Sequence, residues 1–227
     1  ADDHAVVAGI GTIGTHRAVI IGQQKGRNTK ENLFRNFGMM KPEGYRKALR
    51  VMKIAEKFHL PIVTLVDTPG ADPGIAAEER GQGYAIANNL MEMASIDTPI
   101  LTIVIGEGAS GGALGIGLCD KMLMLQNTWF SVISPEGCAS ILWKDSSKAP
   151  EAAEALKLTP KDLMEHDICN MIIHEPVGGA HRHFDETILI VKKALIEEID
   201  SFKKDASISY LDSRVARYDK LGSFREF

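Results

Sequence analysis

The groups best placed to do chemistry in this chain are backbone amides, in the run Gly106-Glu107-Gly108-Ala109-Ser110-Gly111-Gly112-Ala113-Leu114-Gly115-Ile116-Gly117. It follows the apolar residues 99–105, which read as a buried strand. It leads into the small-residue segment 113–118, which reads as the start of a packed helix. A strand, a glycine turn and a helix start leave N–H groups unpaired and pointing one way. Such a place holds an anion or a developing oxyanion. The adjacent Gly111 and Gly112 let a ligand approach the backbone without meeting a Cβ.

Competing readings of this run differ in what they require. Gly106-x-Gly108-x-x-Gly111 matches the glycines of a dinucleotide fingerprint. However, Leu125-Gln126-Asn127 stands where that fingerprint needs an acidic strand end. Gly108-Ala109-Ser110-Gly111-Gly112 fits the glycines of the G-x-S-x-G register of a serine nucleophile, but the sequence places no Asp and His partners for Ser110. Ser110 is therefore read as a turn and cap residue. Gly115 and Gly117 read as packing glycines that bring the helix close to the strand. Asp67-Thr68-Pro69-Gly70 ends another apolar run as a GTPase switch does. The phosphate loop that such a switch needs is missing, because Gly22–Gly26 continues Arg27-Asn28 rather than Lys-Ser/Thr. Asp67–Gly70 is then either a plain strand-ending turn or a loop lining a cleft beside the glycines. Ser134-Pro135-Glu136-Gly137 reads as a well-made helix start, with Ser134 as cap.

The elements that must position these groups alternate between strand and helix. Residues 4–8 and 17–22 read as a hairpin turning through Gly11 and Gly14, and residues 23–40 as a long polar loop. Residues 42–58 read as a helix, with Tyr45, Ala48, Leu49, Met52 and Ala55 on one face. A strand is expected at 61–66, a helix at 75–95, and short strands at 121–125, 129–133 and 170–173. Helices are expected at 135–143, 150–156, 160–166 and 184–204. This alternation predicts an α/β chain with crossover connections. We expect one domain over 1–227.

The chain has 227 residues, 44% of them hydrophobic, and a net charge of −4. That balance gives no nucleic-acid footprint. Lys25 and Arg27, with Arg46, Lys47, Arg50 and Lys53 on one helix, are local exceptions. They are either a solvated face or an anion contact. Cys119, Cys138 and Cys169 lack zinc-ligand spacing and read as reduced thiols in or near the core. No metal site is expected, and no apolar run is long enough to span a membrane. The chain opens almost inside a strand, which suggests a piece of a longer protein.

Several of these segments together are far more specific than any one glycine motif. They are Gly22-Gln23-Gln24-Lys25-Gly26-Arg27, Arg35-Asn36-Phe37-Gly38-Met39, Pro42-Glu43-Gly44-Tyr45-Arg46, Asp67-Thr68-Pro69-Gly70-Ala71, residues 77–82, residues 106–117, residues 131–144, residues 148–155 and residues 175–182. With them the chain closely resembles the carboxyltransferase alpha subunits of bacterial and plastid acetyl-CoA carboxylase. The resemblance implies a crotonase-like fold of repeated ββα units. It implies a zinc-containing beta subunit as partner in an α2β2 heterotetramer, with a biotin carboxyl carrier protein and a biotin carboxylase beside it. It implies transfer of a carboxyl group from carboxybiotin on the carrier to acetyl-CoA, with no cofactor bound by this chain. The location would be bacterial cytoplasm or plastid stroma. Carried onto this sequence, the amides of Gly111 and Gly112 hold the biotin oxyanion. Gly70, Ala71, Gly108, Ser110 and Gly137 are the candidate substrate-contacting residues. The chain departs from the family at Ala109, where glycine is usual, and at Asp72, where an aromatic is usual. Two other functions stay open: a related biotin-dependent acyl-CoA carboxyltransferase or decarboxylase subunit, and a non-catalytic scaffold of this fold.

Overall fold

A computed structural model describes residues 2–204 and 209–222; the remainder of the expected 1–227 domain lies outside the described residues. Its frame is a seven-stranded sheet. The strands are β1 (Val6–Ile13), β2 (His16–Gln23), β3 (Ile62–Thr68), β4 (Ile100–Ala109), β5 (Lys121–Leu125), β6 (Trp129–Ser131) and β7 (Met171–Ile173). The order is β1-β2-β3-β4-β5-β7, and β6 pairs with the end of β4. Only β1 and β2 are antiparallel; the other pairs run parallel. The central strands are apolar on both faces, as a sheet covered on both sides requires.

Alternate residues of those strands feed two cores. Ile21, Ile62, Val66, Ile100 and Val104 join Tyr45, Met52, Met93 and Ile116 on one face. Those partners lie on α2 (Pro42–Lys57), α4 (Gln82–Ser95) and α5 (Ser110–Gly117). Ala18, Val63, Leu101, Ile103 and Leu123 join Leu195 and Ile199 of α9 (Phe184–Lys204) on the other. Cys119, Cys138 and Cys169 are all buried and free.

Four expectations are corrected. The hairpin turns only at Gly14 (φ 62), and β1 runs through Gly9 and Gly11, where a full ladder to β2 outweighs the glycines. The loop at 23–40 contains α1 (Thr29–Phe34), capped by Asn28, and a single 3₁₀ turn at Asn36–Gly38. Helix α1 buries no residue, so it left no apolar periodicity to read. The helix expected over 75–95 is broken into α3 (Ile75–Glu79) and α4 by Gly81 at φ 80. There is also no glycine turn at 106–109, because β6 pairs with Glu107, Gly108 and Ala109 and keeps them extended.

The C-terminal helix α10 (Tyr210–Asp219) is pinned by Arg214, which is 1% exposed. Its guanidinium grips Asp120 with two hydrogen bonds, at 2.9 and 2.8 Å. It also donates to the carbonyls of Met93, Ile96 and Thr98. A buried cation is tolerated when paired and fully hydrogen-bonded in this way.

Candidate active site

The site lies where β2, β3 and β4 end side by side and α5 begins. Pairing of β3 with β4 jumps from Val66↔Val104 to Thr68↔Gly108, so Ile105, Gly106 and Glu107 bulge opposite Asp67. The Asp67 carboxylate enters the bulge and accepts the Glu107 N–H at 3.1 Å. It lies against the Gly106 Cα so closely that a Cβ there would collide with Oδ1. Lys25 closes the cluster, with Nζ 2.8 Å from Asp67 Oδ1 and 2.5 Å from Glu107 Oε2. Burial by itself lowers the Lys25 pKa, but the hydrogen bonds to the two carboxylates outweigh it and raise it above the ordinary lysine value.

The glycines of the run divide by what surrounds them. At Gly108 a Cβ would meet the Phe130 ring at 2.6 Å and the Trp129 carbonyl at 3.2 Å, the cost of pairing with β6. At Gly111 it would make an ordinary contact, 3.4 Å from Ile86 Cδ1. At Gly112 it would strike the Gly70 carbonyl, and Ala71 N at 2.6 Å. The Cβ side of Gly112 is therefore filled by the Gly70–Ala71 backbone, so glycine is required there by packing and not to make room for a ligand on that side. Gly115 packs on the Tyr45 ring, as expected of a packing glycine, whereas nothing lies within 4 Å of a Cβ at Gly117.

Helix α5 starts without a side-chain cap. Ala109 occupies the cap position with an ordinary extended backbone (φ −103, ψ 135). The strain falls on Ser110, at φ 58, in the region that L residues rarely enter. Ser110 was expected as a cap; it is instead the first helical residue and the corner of the strand-to-helix bend. The amides of Gly111 and Gly112 fall in the first turn, which has no intrahelical acceptors. Gly112 O is drawn the other way, accepting from Gln23 Nε2 at 2.8 Å and from the Tyr45 hydroxyl at 3.4 Å. Burial pushes the Tyr45 pKa up, so it stays a protonated donor.

Thus Gly70, Ala71, Gly106, Gly108, Ser110, Gly111 and Gly112 converge on one corner. Gly137 differs. It lies in the first turn of α6 (Pro135–Leu142), and its N–H bonds to Ser134 Oγ at 3.1 Å. It has no open amide to offer an oxyanion. Asp72 closes a local turn by accepting the Gly74 N–H at 2.8 Å. The basic residues are also largely engaged: Lys47 with Asp2, Lys53 with Glu56 and Glu92, and Arg46 with the Arg80 carbonyl. Glu43, Arg46, Lys47 and Arg50 line a hollow of about 290 Å³ on α2. Sequence reading missed Gln23 and Tyr45 as parts of this corner. A polar Gln23 ending the apolar run Val19-Ile20-Ile21 was the signal available.

The mixed α/β architecture, with its parallel strands and the uncapped helix start after β4, is the crotonase fold. The chain superposes on a Pseudomonas malonate decarboxylase hetero-tetramer with TM-score 0.69, at 14% identity, covering 88% of this chain and 80% of that one. It superposes on transcarboxylase 12S with TM-score 0.66, at 20% identity, covering 75% of this chain and 34% of that one. These likenesses carry the fold alone. The family profile described as "Acetyl co-enzyme A carboxylase carboxyltransferase-like" matches residues 1–222, and the chain belongs to that family. It is 53% identical to the "Acetyl-coenzyme A carboxylase carboxyl transferase subunit alpha" of Flavobacterium psychrophilum, over 99% of this chain and 71% of the relative. It is 54% identical to the protein of that name from Protochlamydia amoebophila (99% and 71%) and 49% identical to that of Thermus thermophilus (100% and 72%). Within the family it is an alpha subunit of a multi-subunit carboxyltransferase. Among the described residues no helix is long and apolar enough to cross a membrane.

Proposed function

We propose that the chain, paired with its beta subunit, moves the carboxyl group of carboxybiotin to acetyl-CoA and forms malonyl-CoA, for fatty acid synthesis. The observation that carries the site is the uncapped first turn of α5, whose Gly112 carbonyl is tied back by Gln23 and Tyr45. As the carboxyl group leaves biotin as carbon dioxide, negative charge develops on the ureido oxygen. The N–H groups of Gly111 and Gly112 are the donors for that charge. The ureido nitrogen then takes a proton from the acetyl methyl group, and the enolate carbon bonds to carbon dioxide. This route asks for no side-chain base on this chain. Gly70, Ala71, Gly108 and Ser110 frame the corner and are the nearest candidates for substrate contact. The beta subunit carries the zinc and holds the thioester enolate, in an α2β2 assembly. Biotin on its carrier protein and acetyl-CoA are substrates, biotin carboxylase recharges the carrier, and this chain holds no cofactor of its own. The location is bacterial cytoplasm or, as the alternative, plastid stroma.

The test is co-purification with the beta subunit, followed by assay of malonyl-CoA formation and of its biotin-dependent reversal. Malonyl-CoA turnover well above that with the propionyl-CoA pair is the expected result. Assembly with no turnover of either acyl-CoA would favour the scaffold reading, and preference for propionyl-CoA would assign another acyl substrate.

A further inference from the structure

Adjacent glycines are the worst residues with which to aim a pair of amides. Neither has a side chain to pack, and glycine gives the backbone its greatest freedom. Yet donors that stabilise a developing charge must be held to within about 0.5 Å and 10–20°. Something outside α5 has to supply that rigidity at Gly111 and Gly112.

Gln23 is built to do so. It is the last residue of β2 and only 4% exposed. Its side-chain amide reaches two segments at once. Nε2 donates to Gly112 O at 2.8 Å, and Oε1 accepts the N–H of Asp67 at 3.1 Å. The first bond fixes the peptide plane that follows Gly112. The second fixes the end of β3 at the β4 bulge, just before Gly70 and Ala71. These are the two walls that meet where a Gly112 Cβ would collide. Nε2 also lies 3.5 Å from Met40 Sδ, and the side chain is buried, so little solvent is at hand to replace its two bonds. Reversing the amide would set its oxygen against the Gly112 carbonyl and its NH₂ against the Asp67 N–H, so one orientation is enforced.

We infer that Gln23 is a positioning residue that locks the Gly111–Gly112 amides in their catalytic orientation by bridging the Gly112 carbonyl and the Asp67 N–H. Gln23 itself touches no substrate. The inference rests on the proposed role of the two glycine amides. Tyr45, the second donor to Gly112 O, is the weaker member of the same lock because its bond is longer, at 3.4 Å.

The experiment uses the assembled alpha–beta complex and the variants Gln23→Met and Tyr45→Phe. Methionine fills a similar volume and loses both hydrogen bonds; phenylalanine keeps the ring against Gly115. For Gln23→Met, kcat for malonyl-CoA turnover should fall at least tenfold, with KM for the acyl-CoA within twofold. For Tyr45→Phe the fall in kcat should be two- to fivefold, again with KM unchanged. A merely structural role would lower the amount of active complex without altering exchange of the α5 amides in the folded fraction. Amide hydrogen exchange is therefore measured on complexes that elute intact. Exchange at residues 113–116, the first hydrogen-bonded amides of α5, should rise in Gln23→Met while the α2 amides stay protected. Unchanged kcat, a KM effect alone, or unchanged exchange at 113–116 overturns the inference. If Gln23→Met does not assemble, Tyr45→Phe decides by the same two readings. If the wild-type complex turns over no acyl-CoA, it is the proposed function that fails, and the exchange arm still reads the Gln23 lock.

Discussion

Two helices of this chain begin at the ends of neighbouring parallel strands, and they begin in opposite ways. Helix α6, after β6, follows every local rule: Ser134 caps it, Pro135 opens it and Glu136 sits in its first turn. Helix α5, after β4, follows none. It has no side-chain cap, no acid in its first turn, and Ser110 at φ 58. The well-made start uses its own amides and offers little to a ligand. The poorly made start leaves its amides without a side-chain cap and is held by the rest of the molecule, through Gln23, Tyr45 and the Gly70–Ala71 backbone. Support follows the same division. Helix α6 packs in a satellite cluster of Cys138, Ala139 and Ala152, with Ile141 and Leu142 exposed, whereas the buried residues of α5 join the main core.

The strongest test of this contrast removes an open amide. Gly111→Pro deletes one N–H, and Gly111→Ala keeps it. Turnover of the complex should be lower in the proline variant by about 10²–10³-fold. Equal turnover in the two would break the contrast at its functional end. Next comes packing. Gly112→Ala forces the Gly70 carbonyl to move and should cost about 2–3 kcal/mol in a denaturant melt. Gly111→Ala, meeting only Ile86 at 3.4 Å, should stay within about 1 kcal/mol of wild type. If the two neighbours melt together, the close approach at Gly112 is wrong. Ser134→Ala should cost about 1 kcal/mol of stability and leave turnover unchanged. Its loss of activity would mean that α6 shares the chemistry.

The smallest effect is a pH signature of the bulge. The folded-state pKa of Lys25 is raised, so its pairing with Asp67 and Glu107 stabilises fully below the unfolded lysine value of about 10.4. That contribution is lost as pH rises through the still higher folded value. The difference in Tm between wild type and Lys25→Met should be constant from about pH 7 to 9 and shrink only above about 10.5. Shrinkage already near neutral pH would show that Lys25 does not hold the bulge.

Much of this corner was legible in the chain. The strand before the glycines, the helix start at Gly111 and Gly112, the packing role of Gly115 and the cap at Ser134 follow from residue types read over a few positions. Other features were not. Glycine at 106–109 reads as a turn, but a partner strand some twenty residues further on keeps that segment extended. Gly112 reads as room for a ligand, but the room on its Cβ side is taken by Gly70 and Ala71. Lys25 reads as a solvated charge or a contact for an anion, and the anions it meets are two carboxylates of the same chain.

The sequence alone determined the alternation of strands and helices, the starts of α2 and α6, and the family, because these rest on residues a few positions apart. Only the tertiary structure decided which neighbour each glycine meets. It alone set the Asp67 carboxylate into the β4 bulge, joined Gln23 to a carbonyl 89 residues away, and buried Arg214 against Asp120. Local rules rank what one segment prefers. They carry no information about which distant backbone arrives beside it, and in this molecule that arrival is what holds an uncapped helix start open.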